Sequence, residues 1–191
     1  MSADEYLRVE VPLSASVARE LRAGSRVLLS GYLLTARDAA HKRLVEAADA
    51  GEPLPVDLEG QVIYYTGPTP APPGAVIGSA GPTTAARMDP FAPRLLALGV
   101  RGMIGKGARS PEVIEAIKKH GAVYLAAVGG AGALLASHIV ASEVVAYEDL
   151  GPEAVRRLQV ADFPVIVAID SEGNDLFRRG VEEWQGRASK G

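Results

Sequence analysis

Gly121-Ala122-Val123-Tyr124-Leu125-Ala126-Ala127-Val128-Gly129-Gly130-Ala131-Gly132-Ala133-Leu134-Leu135-Ala136-Ser137-His138-Ile139-Val140-Ala141-Ser142 runs without one Asp, Glu, Lys or Arg. How it is read decides between a membrane span and a globular α/β domain. A spanning helix needs about 20 mostly apolar residues, so length alone permits a span. The glycines at 129, 130 and 132, with Ser137-His138 behind them, argue instead for a buried strand, a tight turn and a second buried element. Nothing else in the chain suggests a second span. Strand, glycine turn and helix also raise a dinucleotide fingerprint. Gly130-Ala131-Gly132-Ala133-Leu134-Leu135 ends on Leu where a small residue is needed, and no acid-terminated strand follows about 20 residues on. The glycines are therefore read as a structural turn.

Outward from this segment, elements alternate. On the C-terminal side, Ile139 to Tyr147 reads as a strand, Gly151-Pro152-Glu153 as the start of a short helix, and Phe163 to Asp170 as a buried strand. Ser171-Glu172-Gly173-Asn174 turns that strand into a hairpin partner over Asp175 to Arg178, and the last dozen residues, about 180–191, read as a partly ordered tail. On the N-terminal side, Tyr6 to Leu13 is a strand, Ser14 or Ser16 caps a helix over Val17 to Arg22, and Arg26 to Leu34 is a second strand. Thr35 would cap a helix running to about Ala48, with Asp38 as its first-turn acid. Gln61 to Thr66 is a strand, and the proline-rich stretch 67–82 an ordered loop with a short strand at Ala75 to Gly78. Val100 to Ile104 is a strand delivering Gly105-Lys106-Gly107, and Ser110-Pro111-Glu112 opens a helix ending at Lys118-Lys119-His120-Gly121. The pattern is α/β with a mixed sheet, in one domain over 1–191.

Composition limits the chemistry. The chain has 191 residues, 48% of them hydrophobic, enough to bury a full core. A formal charge of −3 and few aromatics argue against nucleic-acid binding. The absence of cysteine excludes disulfides, thiolate metal sites, a cysteine nucleophile and any iron–sulfur cluster ligated by cysteines of this chain. His41, His120 and His138 have no metal-ligand spacing. The acidic Met1-Ser2-Ala3-Asp4-Glu5 is no signal peptide, so a cytoplasmic setting is expected.

One further stretch carries chemistry: Gly81-Pro82-Thr83-Thr84-Ala85-Ala86-Arg87-Met88-Asp89. It reads as a helix start over residues 85–98 with Thr83 or Thr84 as cap. Two hydroxyls, exposed amides and Arg87 there make an anion pocket. The competing reading is a capped helix whose Arg87 and Asp89 pair on the surface. Arg37 is the odd member of its own helix start, because a cation in the first turn opposes the helix dipole unless an anion sits beside it. Arg37, Arg87 and Lys106 all follow strand ends among glycines, prolines or helix starts, and such ends gather into one crevice in open α/β sheets. Three cations and two hydroxyls suit a small dicarboxylate gripped at both ends. No acid, cysteine or histidine set accompanies them, so they form a binding half-site.

The residues now in hand resemble a known family. Thr35 to Arg43, Tyr65-Thr66-Gly67-Pro68, Gly81 to Asp89, Ile104-Gly105-Lys106-Gly107, Glu148 to Ala154, and Asp162-Phe163-Pro164 with Asp170 to Asp175 look, in order, like the β-subunit of the class I iron–sulfur fumarate hydratases and tartrate dehydratases. The resemblance implies a swivelling β/β/α domain and reversible hydration of fumarate to (S)-malate, a tricarboxylic acid cycle reaction. It also implies a cysteine-bearing α-subunit as partner, in an α2β2 heterotetramer, holding a [4Fe-4S] cluster with one open iron. Arg37, Arg87 and Lys106 would clamp the substrate carboxylates, and Thr83 falls at the catalytic base position. Thr84, Ala85 and Ala86 would line the pocket through backbone, and Ala86 stands where glycine is common. Asp38 and His41 would orient Arg37 from behind or serve as helix caps. Tartrate dehydratase and a non-catalytic small-anion module stay open as alternatives.

Overall fold

The computed structural model describes residues 6–128 and 130–188. Among these residues the elements run β1 Leu7–Val11, α1 Ala15–Glu20, β2 Arg26–Thr35, α2 Asp38–Asp49, β3 Val62–Tyr64, α3 Ala92–Ala97, β4 Gly102–Gly105, α4 Pro111–His120, β5 Val123–Ala126, α5 Gly132–Ser137, β6 Ile139–Ala146, β7 Val155–Ile169 and α6 Leu176–Ala188. Short 3-10 turns occupy Ala85–Met88 and Glu148–Glu153.

β1 through β5 pair in parallel, each with the next, while β7 runs antiparallel to β2, β5 and β6. Because β7 bonds to both β2 and β5, the pairings β2–β3–β4–β5–β7–β2 close a circuit. The sheet is mixed, as expected. Strand alternation then builds two cores. Val62, Tyr64, Ile104, Val123 and Leu125 face an interior shared with β1 and β7, where Phe163 meets the Tyr64 ring edge-on at 5.3 Å. Ile63, Tyr65, Met103 and Tyr124 face outward and are covered by α2, α3 and α4 through Ala40, Leu44, Leu95, Leu96, Val113 and Ile117. Two β layers and one helix layer result. Burying each such side chain contributes about 1.5–3 kcal/mol.

The charge-free segment 121–142 holds β5, the glycine turn and α5, with Val123, Leu125 and Leu135 in the interior. Among the described residues no helix is long and apolar enough to cross a membrane. Local chemistry accounts for most boundaries. Ser14 accepts the Val17 amide at 3.2 Å to cap α1, Ser110 caps α4 ahead of Pro111, and Gly121 closes α4 in the left-handed region.

Six local expectations are corrected. Thr35 is no cap: it ends β2, where its buried hydroxyl donates to the Ala154 carbonyl and accepts the Arg156 amide. Thr84 takes the N-cap position of its 3-10 turn without a side-chain hydrogen bond. Residues 85–98 are two pieces, since prolines 90 and 93 interrupt the helical ladder. Ala75 to Gly78 joins no strand. The hairpin expected at Asp175 shrinks to one bridge with Ile169, and Asp175 instead caps α6 by accepting the Phe177 amide at 2.8 Å. The stretch read as a tail continues that helix through Ala188; 189–191 lie outside the described residues.

Gly31 is the tightest point of the β1–β2 pairing. Its φ is +114° and a Cβ there would sit 2.2 Å from the Val11 carbonyl oxygen. Gly31→Ala is expected to lower stability by about 1–3 kcal/mol from backbone strain, with the clash adding to it. Urea denaturation should show the midpoint falling, and an unchanged midpoint would contradict the pairing.

Candidate active site

The C-terminal ends of the parallel strands β2, β3 and β4 lie side by side, and the chain leaving each supplies one part of the site. β2 leads through Thr35 and Ala36 to Arg37, which is the N-cap of α2. β3 continues through Tyr65, whose amide donates to the Ile104 carbonyl at 2.8 Å. The chain then departs at Gly67 into the proline loop and returns at Gly81. That return is fixed by the Thr66 hydroxyl donating to the Gly81 carbonyl at 2.8 Å and by the Ala80 amide donating to Gly132 at 3.1 Å.

The returning residues re-enter the sheet. The Thr83 amide donates to the Tyr65 carbonyl at 2.7 Å, the Lys106 amide to the Thr83 carbonyl at 3.2 Å, and the Ala85 amide to the Lys106 carbonyl at 2.9 Å. Thr84 and Lys106 thus form a parallel bridge that extends β4 beyond its end. This main-chain lattice sets Thr83, Thr84 and Lys106 as neighbours. Thr83 is half-buried; Thr84, Ala86, Arg87 and the Lys106 side chain face out. The Ala85 methyl is buried in the helix-side core and its amide is spent on Lys106. Among the described residues the Thr84 and Ala86 amides find no acceptor.

Each arginine is held by a carboxylate. Arg87 pairs with Asp38 in the first turn of α2. Arg37 is largely buried, and its Nη2 lies 3.2 Å from Glu153 Oε1. The Lys106 side chain, by contrast, makes no ion pair or hydrogen bond with any described residue. The surface pair expected between Arg87 and Asp89 is absent. Asp89 turns inward to accept Arg109 Nε at 2.7 Å and the Ser110 amide at 2.7 Å. The Arg109 side chain is fully buried, its guanidinium 5.4 Å and 4.9 Å from the centres of the Tyr65 and Tyr124 rings.

The structure gathers all the residues expected at the site, Arg37, Asp38, His41, Thr83, Thr84, Ala85, Ala86, Arg87 and Lys106, around this one edge. One departs from its expected relation: Asp38 reaches Arg87 rather than Arg37. His41 meets Arg37 at its main chain: it is fully buried inside α2, edge-on to Tyr65 at 5.1 Å, with Nδ1 3.0 Å from the Arg37 carbonyl. A carbonyl only accepts, so Nδ1 carries the proton, and Nε2 is buried without a partner. Sequence reasoning missed Glu153 and Arg109 as site supports. The cation at the start of α2 was the signal for an anion such as Glu153; Arg109 lies three residues past Lys106 and carried no distinguishing pattern.

A cluster fits none of this. The chain has no thiolate, and among the described residues no three His, Asp or Glu side chains group as metal ligands. Thr83 is half-buried and the Arg87 and Lys106 side chains are exposed, so this edge is open to solvent in the chain by itself.

Burial lowers the pKa of His41 to about 4. Above about pH 6.5 both folded and unfolded chains hold this histidine neutral. Below it the unfolded chain takes up a proton that the folded chain refuses until about pH 4. Stability is therefore lost as pH falls through that window, by an amount on the order of 2–3 kcal/mol. Denaturation midpoints between pH 7 and 4 should fall more steeply for the native chain than for His41→Gln; parallel profiles would remove His41 as the titrating group.

The sequence can now be set beside known proteins. A family model described as Fumarase C-terminus matches residues 2–180. The chain is 41% identical over 181 residues to the aerobic class I fumarate hydratase of Escherichia coli K12, covering 92% of this chain but 33% of that protein. It is 42% identical over 158 residues to fumarate hydratase 2 of Leishmania major, covering 82% and 28%. It is 39% identical over 171 residues to a putative L(+)-tartrate dehydratase subunit beta of Methanocaldococcus jannaschii, covering 86% of this chain and 88% of that one. The chain thus spans about a third of the fumarate hydratases it matches and most of the tartrate dehydratase subunit. On fold, motif order and length of match, the chain belongs to the Fumarase C-terminus family.

Proposed function

We propose that this chain is the diacid-gripping half of a hydro-lyase, a fumarate hydratase that interconverts fumarate and (S)-malate. The observation that carries this is the Lys106 ammonium, without a partner among the described residues, on a main chain bonded to that of Thr83, at the strand ends that also carry two arginines held by carboxylates. Lys106 would bind one substrate carboxylate outright. Arg87, exposed and paired to Asp38, would take the other, with Arg37 behind it. Charge-assisted contacts of this type are the strong ones, and a rigid grip holds the alkene for attack.

Hydration adds hydroxide to one alkene carbon and a proton to its neighbour. In our reading Thr83 Oγ handles the carbon-bound proton, delivering it in hydration and accepting it in dehydration. A threonine hydroxyl is a weak base, so cations beside it must stabilise the alkoxide. The free Thr84 and Ala86 amides would add donors at the same edge. In this reading a Lewis-acid centre for the hydroxyl comes from elsewhere, since this chain has no cysteine to hold a cluster. We assign that centre, a [4Fe-4S] cluster, to a cysteine-bearing partner, an α-subunit in an α2β2 assembly.

A second reading, an L(+)-tartrate dehydratase subunit, is favoured by one observation: this chain covers 88% of the relative so named, against a third of the fumarate hydratases. Both readings use the same grip. Anaerobic co-expression with a cysteine-bearing partner, followed by assays on fumarate, tartrate and mesaconate, separates them. We expect turnover of fumarate; preference for tartrate would move the assignment to the second reading. Turnover of no diacid, or activity from this chain alone, would sink both. Arg87→Ala and Lys106→Met within the complex should each lower kcat/KM by about tenfold to a hundredfold, the value of a charged hydrogen bond.

A further inference from the structure

We infer that Glu153 is a positioning residue that sets Arg37 for substrate binding; the inference rests on the hydro-lyase reading. Glu153 lies far along the chain, at the end of the 3-10 turn Glu148–Glu153, yet its carboxylate serves two groups at the start of α2. Oε1 is 3.2 Å from Arg37 Nη2, and Oε2 accepts the Ala39 amide at 3.3 Å. α2 has no cap of its own, because its N-cap residue is Arg37 and makes no side-chain cap bond. Glu153 supplies that cap from outside and neutralises the cation that the helix dipole would repel. One side chain therefore locks the helix start and the guanidinium in one geometry.

The surrounding packing leaves Arg37 little freedom. A methyl at Gly67 would lie 3.1 Å from Arg37 Nη1, 3.3 Å from its Cδ and 3.3 Å from the Pro152 carbonyl oxygen. Arg37 thus runs through a slot between Gly67 and the Pro152-Glu153 segment, with its Nε buried and unpartnered. A guanidinium in such a slot has its direction set by whichever carboxylate meets its far end. Glu153 is that carboxylate. Arg37 then faces the edge already aligned, and substrate binding need not order it.

The test is a double-substitution cycle in the complex with the cysteine-bearing partner. Glu153→Gln keeps the shape and an oxygen for the Ala39 amide but removes the charge on Arg37. It should raise KM for the diacid by about tenfold to a hundredfold with a smaller change in kcat. In an Arg37→Met background the same substitution should change KM by less than about twofold, because its target is gone. Gly67→Ala, which narrows the slot without touching Glu153, should behave the same way, and it decides the matter if Glu153→Gln does not fold. Effects that persist undiminished in the Arg37→Met background overturn the inference, as does an unchanged KM in Glu153→Gln. A native complex that turns over no diacid rejects the hydro-lyase reading and the inference built on it. Active native complex with additive effects rejects the positioning role alone.

Discussion

The buried ion pair of Asp89 and Arg109 is the constraint on which the site's geometry depends. Taking a guanidinium fully out of water costs several kcal/mol after relaxation. Here that cost is offset by the 2.7 Å contact to Asp89 and by two aromatic faces, those of Tyr65 and Tyr124. The second oxygen of Asp89 accepts the Ser110 amide, so the carboxylate is also satisfied. The pair joins the end of the Thr83–Asp89 stretch to the segment just beyond Lys106. Its aromatic partners come from β5 and from the residue after β3, and the Tyr124 hydroxyl ties back to the Gly107 carbonyl at 2.9 Å. Removing one partner would leave the other charged and buried, a loss of about 3–5 kcal/mol. The hydroxyls and the ammonium therefore stand on a base that cannot shift by small steps.

Above that base the same main chain serves as both sheet and site. Thr83 and Lys106 are joined by the ladder that lengthens β4, so the main chain of these two residues is placed by peptide hydrogen bonds rather than by loop packing. Such placement is tighter than a loop allows, because Thr83 is bonded on both sides, its amide to Tyr65 and its carbonyl to Lys106. The closed circuit of strands extends the constraint: β7 bonds to β2 and β5, leaving no free edge by which these strands could separate singly.

Much of this was legible in the residues. Strand and helix order followed from hydrophobic period, Ser and Gly punctuation, and the glycine break at 129–132. The cations at strand ends pointed to one crevice because parallel strands share a direction. What was hidden depended on long-range partners. Thr35 has the chemistry of a cap, but its hydroxyl is claimed by β7 at Ala154 and Arg156. Asp89 is two residues from Arg87 and bonds Arg109 instead, because burial against two tyrosines outweighs a screened surface contact. Asp175 looked like the return strand of a hairpin, and its carboxylate starts a helix. No local pattern records which distant group a side chain will meet.

The carboxylates on the two arginines have a consequence for the balance of charge. Arg37, Arg87 and Lys106 bring three positive charges to the edge, and Asp38 and Glu153 return two negative ones. The edge is left with a surplus of one. A bound diacid carries two, so the filled half-site would be negative by one in a chain whose net charge is already −3. Field balance then asks the opposing face for a positive centre. In the proposed assembly, the partner surface facing this edge would be cationic where it meets the substrate, and the association would weaken as salt screens that attraction.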